Sequence, residues 1–453
     1  MKKSLFATFI FALSAACFDA MPQQVSFSGS SQSVFEEQPA ASTGLDRIYV
    51  VNGCDGVSMD YTQRNAGAAV TWYEYGERGG GYAEVVAGVE RIDGYTTRLP
   101  QVKADCGYII EEGTDRTYVW VVDYADYALS LSSIGFDPQR DCGTARLLVD
   151  GTGRDITYYT INGVPQQLDR GLVLSYRTLE WNDDNMAWAE IQVDEEVGAF
   201  SNTIAVPAPY CNTEFTLHGD RFLQYWGMEE SVTSDTYITS AVAVETTAVQ
   251  EERDLANEKG SGEDDGSTLG GSAPVTIAFT AYVTDAMMHS EWQMSRDQEF
   301  RNIDSRFNQA EITQTFNEGG TFYFRFFGAD GSGECEAIGE TYTVFIGESS
   351  LECPNAFSPQ ASEGINDEWR VAYRSIVEFH CWIFNRWGVK ICELNNPAQG
   401  WDGKYKGKYV KPGTYFYVIE ARGADGVEYN LKGDINIVNY TGTGRGTSGG
   451  VTE

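Results

Sequence analysis

The sequence predicts an all-β protein built from tandem β-sandwiches. Glycine occurs 48 times, tyrosine 26 times and phenylalanine 23 times, which favours short strands joined by tight turns. Apolar and aromatic runs of strand length recur without a sustained helical period, at residues 47–51, 68–76, 118–127 and 128–136. The chain has 453 residues, and a single hydrophobic core stops growing near ~250–300 residues, so we expect several domains.

Residues 1–16 have the pattern of a secretory (Sec) signal peptide. Lys2 and Lys3 provide the positive charge, residues 5–13 a short apolar stretch, and residues 14–16 the small side chains of a cleavage site. The apolar stretch is too short to span a bilayer, which needs about 20 residues. We therefore expect export across the inner membrane.

The segment that follows leaves one alternative open. Cys17 allows lipidation in place of ordinary cleavage, although Leu13 stands one position too far upstream for the usual lipobox. Residues 17–44 are rich in Ser, Gln and Pro, a composition typical of a flexible spacer.

The strand-like segments group into three predicted sandwiches, at residues 45–128, 129–210 and 211–350. Within the third, residues 246–272 are acidic and Gly/Ser-rich, and we predict a disordered insertion there. Residues 329–334 (ADGSGE) are predicted to form a hairpin turn.

The end of the third predicted sandwich shows a resemblance. Trp292, the Thr315-Phe316 pair, the run 320–323 and a closing Tyr-Thr-Val strand are similar to PKD-like and immunoglobulin-like modules. The resemblance implies a seven-strand sandwich that serves as a spacer or adhesive module. We expect immunoglobulin-like sandwiches at 45–128 and 129–210 as well.

Residues 351–441 carry five short motifs in order, before a predicted flexible tail at 442–453. Their residues are Pro354, Asn355, Phe357, Pro359, Gly364, Asn366, Asp367, Asn385, Arg386, Trp387, Gly388, Trp401, Asp402, Gly403, Gly407, Pro412, Gly413, Tyr415, Tyr417 and Gly433. This series resembles the gliding motility-associated C-terminal domain, the type B sorting domain of type IX secretion. The loop at 360–363 is longer and less acidic than in that family, which weakens any metal-binding role for it.

The resemblance implies a route and partners. It implies passage through the outer membrane by type IX secretion, with the translocon and a PorP/SprF-type outer-membrane barrel as partners. The expected location is the cell surface or the extracellular space.

The residues of this domain also support structural predictions that do not depend on the family resemblance. Residues 377–394 are predicted to form two strands around a turn, with Trp387 packed back over the pair. Residues 414–421 are predicted to form a central strand, because they are apolar on both faces. We therefore expect Trp387 and Trp401 to stabilise the domain rather than to contact a ligand.

Charge separates the C-terminal domain from the rest of the chain. The whole chain carries −34, whereas residues 351–441 hold 11 acidic and 10 basic residues, so −33 lies elsewhere. This acidity opposes binding to nucleic acid. Lys404, Lys406, Lys408 and Lys411 form a basic strip that is either a solvated loop or a contact for an acidic translocon surface or lipopolysaccharide.

Cysteine usage fits an exported protein with disulfides. Eight candidate disulfide cysteines allow 105 connectivities, so no pairing is assigned: Cys54, Cys106, Cys142, Cys211, Cys335, Cys353, Cys381 and Cys392. No CxxC motif and no cysteine–histidine cluster indicates a metal site, and we predict no metal and no cofactor.

These observations favour a non-catalytic surface protein, either an adhesin or a structural component of the secretion or gliding apparatus. The alternative is a carbohydrate- or ligand-binding module that uses the aromatic strands of residues 68–127 as stacking platforms. An enzyme is the third class, and three scattered histidines, His218, His289 and His380, give it no catalytic motif.

Overall fold

The computed structural model describes residues 24–139, 141–253, 255–259, 269–359 and 366–438. Within these ranges the chain is all-β, as predicted, and its strands form four modules. The predicted signal peptide, Cys17, the loop at 360–363 and the tail at 442–453 lie outside the described residues. No helix in the described part is long and apolar enough to cross a membrane.

The first module, residues 24–128, packs a four-stranded sheet (β1-β4-β8-β7) on a six-stranded sheet (β2-β3-β10-β9-β5-β6). Alternating apolar residues of both sheets fill the space between them. The strands are β1 Val25–Ser28, β2 Phe35–Glu37, β3 Arg47–Val51, β4 Ser58–Thr62, β5 Val70–Tyr75, β6 Glu84–Val85, β7 Glu90–Arg91, β8 Thr96–Leu99, β9 Cys106–Glu112 and β10 Asp115–Asp123, with 3-10 turns at Ala41–Thr43, Gly80–Tyr82 and Tyr124–Tyr127.

The prediction of a flexible spacer is wrong for residues 24–44. β1 pairs with β4 and β2 pairs with β3, so this segment adds one strand to each sheet. Val25 is buried between the sheets, and the Phe35 ring packs against Phe222 at 5.1 Å between centroids. Apolar side chains such as Val25 and Phe35 therefore order a segment whose overall composition is polar.

The second module comprises nine strands and one short helix. They are β11 Ser130–Phe136, β12 Thr144–Thr152, β13 Ile156–Tyr159, β14 Pro165–Leu168, β15 Val173–Asn182, β16 Ala187–Glu196, β17 Thr203–Pro207, β18 Thr216–His218, α1 Arg221–Tyr225 and β19 Ser231–Thr233. The boundary predicted at residue 210 is wrong, because β18 pairs with β15 and β19 pairs with β18.

The first two modules share one hydrophobic core. The outer face of the six-stranded sheet, with Ile48 and Trp120, packs directly on residues of the second module such as Leu174. A buried ion pair reinforces this junction: an Arg170 guanidinium nitrogen lies 2.7 Å from Asp220 Oδ2, and both side chains are at most 1% exposed. The Tyr124 hydroxyl donates to the same oxygen at 3.0 Å.

The third module has two packed sheets, β20-β22-β25 and β21-β28-β26-β23-β24, with β27 added to β26. Trp292, Phe279 and Phe324 are fully buried between them. Its strands are β20 Val244–Gln250, β21 Leu269–Gly271, β22 Val275–Val283, β23 Met287–Ser295, β24 Ser305–Phe307, β25 Glu311–Phe316, β26 Gly320–Asp330, β27 Glu336–Ile338 and β28 Tyr342–Ile346. The predicted hairpin turn at 329–334 is confirmed between β26 and β27.

The predicted disordered insertion at 246–272 is wrong wherever the structure describes it. Residues 246–250 belong to β20, which pairs with β22, and residues 269–271 form β21. Lys259 N donates to Tyr373 O at 2.7 Å, so this segment also contacts the fourth module. The two strand segments contain none of the acidic residues of this stretch, a separation that average composition conceals. Residues 260–268 lie outside the description.

The fourth module, residues 350–438, is built on the five-stranded sheet β30-β37-β36-β32-β33. Two short pairs, β29-β31 and β34-β35, complete the module. The strands are β29 Ser350–Glu352, β30 Ala356–Phe357, β31 Ala372–Arg374, β32 Ile376–Phe384, β33 Lys390–Leu394, β34 Lys404–Tyr405, β35 Lys408–Tyr409, β36 Gly413–Gly423 and β37 Glu428–Ile437. The predicted strand pair in residues 377–394 is confirmed.

Candidate functional site

Two tryptophans close the core on the inner face of the five-stranded sheet. Trp369 and Trp401 exchange backbone hydrogen bonds of 2.9 and 3.0 Å, and their exposed fractions are 0% and 2%. The Trp401 ring packs against Phe357 and Tyr415, at 5.4 and 5.2 Å between centroids. The burial predicted for Trp401 is confirmed. Trp369 lies outside the five motifs and is missing from the predicted set.

Other motif residues support this core through the backbone. Pro354 O accepts a 2.7 Å hydrogen bond from Trp369 Nε1, and Asn355 O accepts one of 2.9 Å from Asn436 N. The Tyr415 hydroxyl donates to a backbone carbonyl at 2.9 Å. Asn366 and Asp367 come shortly before Trp369, and Pro412 and Gly413 lead into β36. Gly433 on β37 pairs with Tyr417 on β36. Gly364 lies outside the described residues.

The Asp402–Gly407 segment forms a tight turn beside this core. Asp402 Oδ1 accepts from Lys404 N at 3.0 Å. Gly403 and Gly407 have positive φ of 75° and 79°, a region that side chains resist. A Cβ at Gly403 would stand 3.0 Å from the Pro359 ring, so a larger residue there is opposed by its backbone conformation and also crowds Pro359.

The turn between β32 and β33 displays its tryptophan to solvent. Asn385 Oδ1 accepts from Trp387 N at 2.9 Å and from Val389 N at 3.1 Å, while Gly388 adopts a φ of 77°. Trp387 is 73% exposed, and its only ring contact among the described residues is the Arg386 guanidinium, 4.3 Å from the ring centroid. The prediction that Trp387 packs back over the strands is wrong, because this turn points the ring away from them.

The outer face of the sheet carries an exposed apolar cluster. Residues 414–421 do form a central strand, but only one of its faces is buried: Phe416 is 44% exposed and Val418 38%. Opposite them on β32 stand Phe384 and Trp382, both half-buried. We call Trp382, Phe384, Trp387, Phe416 and Val418 the distal aromatic surface.

The sequence signal for this cluster is the run of apolar residues on both faces of residues 414–421. A strand that is apolar on both faces is buried on both sides in a large protein, but in this small module β36 is buried on one side only. The apolar residues left over on the second face are therefore available to a partner.

Strand register assigns the distal aromatic surface to one end of the module. Phe384 pairs with Phe416 and Gly413 with Ile437, so the Trp387 turn lies at this end. The opposite end contacts the third module, where Gly319 N donates to Ala424 O at 2.9 Å. The distal aromatic surface is therefore on the end away from the module junction.

The basic strip is a short hairpin of β34 and β35 that leads into β36. Lys404 donates to Asp402 Oδ2 at 2.7 Å, and that hydrogen bond raises the pKa of the lysine. Lys406 lies over the Tyr405 ring. Among the described residues, Lys406, Lys408 and Lys411 form no salt bridge, so the strip remains a basic surface.

Among the described residues one disulfide forms, between Cys142 of the second module and Cys335 of the third. Of the eight candidate disulfide cysteines, the other six are free thiols: Cys54, Cys106, Cys211, Cys353, Cys381 and Cys392. Burial raises the pKa of Cys106 to about 11 and, with Cys353 and Cys392 nearby, that of Cys381 to about 12. Such thiols are poor nucleophiles at neutral pH.

The tryptophans in the strands of residues 68–127 are buried and not available as stacking platforms. Trp72, Trp120 and Tyr75 are at most 3% exposed and belong to the cores of the first two modules. Tyr82, in contrast, is largely exposed with the Arg78 guanidinium 5.1 Å from its ring centroid. The carbohydrate-binding alternative was based on these strands, and their tryptophans are buried, so the strands do not support it.

The described residues do not bring the three histidines together. His218, His289 and His380 lie in three different modules. In the described part of the chain, no group of three or more His, Cys, Asp or Glu side chains is placed to hold a metal ion. The feature with functional character is the distal aromatic surface.

Two family models match parts of this chain. Residues 351–437 match the CHU_C type IX secretion signal domain, and residues 135–234 match a fibronectin type III domain. The chain thus carries a type IX sorting domain, preceded by an immunoglobulin-like module, as the resemblance implied. A type IX secretion signal implies export to the cell surface or extracellular space. No relative is found among the curated proteins.

Solved structures with a similar chain trace include tandem-module proteins. A tetra-tandem repeat from the extending region of a large adhesion protein is 10% identical, covering 86% of this chain and 98% of that one, with a TM-score of 0.22. The FN1–FN3 domains of chicken CNTN1 are 10% identical, with 68% and 98% covered and a TM-score of 0.24. These scores are too low to bear on function.

Proposed function

We propose that this chain is a non-catalytic protein of the cell surface or extracellular space, acting as an adhesin or as a structural component of the secretion or gliding apparatus. It is made with a Sec signal peptide and crosses the outer membrane by type IX secretion. The observation that carries the proposal is the sorting domain at residues 351–437. Its partners are the type IX translocon and a PorP/SprF-type outer-membrane barrel.

The rest of the chain supports a structural or adhesive role. The first two modules share a core, and a disulfide joins the second module to the third. Such joined sandwiches hold a surface away from the cell without enzymatic chemistry. Their acidity keeps them soluble and repels nucleic acid.

Deletion of residues 351–441 tests the export route. We expect the truncated chain to accumulate in the periplasm with its signal peptide removed, whereas the full chain reaches the surface. Fractionation and surface labelling measure this, and normal display of the truncated chain would contradict the proposal. An adjacent gene for a PorP/SprF-type barrel would support the named partner.

A further inference from the structure

We propose that the distal aromatic surface is the part of the sorting domain that docks on the export machinery. Its partner is an outer-membrane protein of that machinery, with an apolar socket for the indole ring of Trp387 and carboxylates around the socket. This inference rests on the proposed function and names the surface and partner chemistry through which the sorting domain acts.

The surface has the composition of an interface core. Phe384 faces Phe416 and Trp382 faces Val418 across β32 and β36, so four apolar side chains form two adjacent rows. Trp387 stands at the end of these rows. Tryptophan and arginine are enriched among residues that dominate binding energy, and clustered exposed apolar residues mark interaction sites.

Trp387 is held ready for a partner. The Asn385 side chain accepts two backbone hydrogen bonds within the turn, and the backbone adds Gly388 N to Asn385 O at 2.9 Å and Asn385 N to Val389 O at 3.0 Å. A turn fixed in this way loses little conformational freedom on binding. The ring is exposed because the turn displays it, rather than because the segment lacks structure.

Charge favours an acidic protein over a lipid layer. Arg386 and Lys432 flank the apolar rows and form no salt bridge among the described residues, so carboxylates of a partner can pair with them. Glu393 and Asp434 also stand on this face, opposite Trp382 and Phe416. Acidic groups so close to the apolar rows oppose a uniformly anionic lipid surface, whereas a protein partner can complement both signs.

The position of the surface leaves it accessible in the full chain. The third module contacts the other end of the sorting domain through Ala424 and Ser375, where Ala273 N donates to Ser375 Oγ at 3.2 Å. The distal aromatic surface is thus free to meet the translocon while the preceding modules remain behind it.

The test uses the full chain in the exporting bacterium. Trp387→Ala and the double variant Phe416→Thr, Val418→Thr are compared with Val427→Thr, a matched control at the proximal end, where Val427 is also exposed. We expect surface display to fall about tenfold or more for the first two variants, the scale of losing a binding hot spot, and to be unchanged for the control. Melting of each purified chain should match the parent.

Parallel deletion of residues 351–441 separates this inference from the proposed function. If the deletion blocks display but Trp387→Ala does not, the docking surface is wrong and the export route stands. If the deletion is displayed normally, the proposed function fails. If Trp387→Ala reduces surface display, Trp387→Phe largely restores it and both variants melt at the same temperature, the result supports docking through an aromatic ring.

Two further outcomes would overturn the choice of partner. In the first outcome, lipopolysaccharide vesicles bind the purified full chain, and Arg386→Ala and Lys432→Ala abolish that binding. If Trp387→Ala still binds the vesicles and is still displayed, the partner is a lipid and not a protein. A dimer seen by sedimentation, disrupted by Trp387→Ala without loss of display, would assign the surface to a second copy of this chain.

Discussion

The two faces of the five-stranded sheet in the sorting domain both carry aromatic and aliphatic side chains, but those side chains have different roles. Tyr415 and Ile419 on the inner face of β36 are buried, whereas Phe416 and Val418 between them face solvent. The same contrast separates Trp401 from Trp387. An apolar residue stabilises this domain only if a covering layer exists on its side, and otherwise it is available for binding.

The largest expected effect is the loss of Trp401. Trp401→Ala removes a buried ring that contacts Phe357 and Tyr415, and large-to-small changes of this kind cost about 3–5 kcal/mol. Hydrogen exchange of β36 and β37 in the full chain measures the free energy of opening. Trp387→Ala is the matched control, with an expected change below about 0.5 kcal/mol. Similar losses in both variants would break the contrast between the two faces.

A second contrast concerns ion pairs. Asp220→Asn leaves the buried Arg170 charge uncompensated, which should cost about 3 kcal/mol or more and lower the melting temperature of the first two modules. Glu378 pairs with Arg422 on the outer face, where both side chains are more than half exposed. Glu378→Gln should leave melting unchanged, since exposed pairs contribute little. Equal shifts of the melting temperature in the two variants, measured by calorimetry, would show that burial does not determine how much each ion pair contributes to stability.

Two of the left-handed glycines in the sorting domain, Gly388 and Gly403, give a smaller, graded effect. Gly388→Ala meets open space, so only the backbone conformation resists it, at roughly 1–2 kcal/mol. Gly403→Ala meets the same resistance and also crowds Pro359 at 3.0 Å, so it should destabilise the domain more. Urea denaturation followed by the fluorescence of the sorting-domain tryptophans compares them. The reverse order would indicate that the Pro359 ring moves aside easily.

The smallest effect is expected on the outer face. Phe416→Thr and Val418→Thr should each change the free energy of unfolding by no more than about 0.5 kcal/mol, because these side chains are already partly in water. Hydrogen exchange of β36 reads the change directly. Losses above about 2 kcal/mol would mean that the outer face is packed in solution.

Much of the sorting domain was predictable from its sequence. The β32–β33 hairpin and the burial of Trp401 follow from motif and alternation, and both are confirmed. The direction of Trp387 was not predictable, because a turn sequence specifies that the chain reverses but not where the ring points. The exposure of Phe416 depends on which side of the sheet other strands cover, which is a property of the whole module.

Contacts distant in sequence explain the remaining differences. Cys142 pairs with Cys335 across 193 residues, and no spacing rule selects this pair from 105 connectivities. The segment 24–44 was predicted to be flexible because its average composition is polar. Val25 and Phe35, however, find partners in the first and second modules. Average composition does not show whether a few apolar residues will contact an apolar surface formed by distant parts of the chain.

The disulfide between Cys142 and Cys335 also determines how the chain carries load. A pulling force that enters near residue 142 passes through the sulfur bridge to residue 335 and bypasses the intervening chain, a sequence separation of 193. Fully extended, that segment would span about 640–690 Å at ~3.3–3.6 Å per residue, and none of this length can be released while the bridge is intact. Single-molecule stretching with and without a reductant should differ by this length. For a protein held against flowing water or a moving surface, the bridge converts two extensible modules into a tether of fixed length.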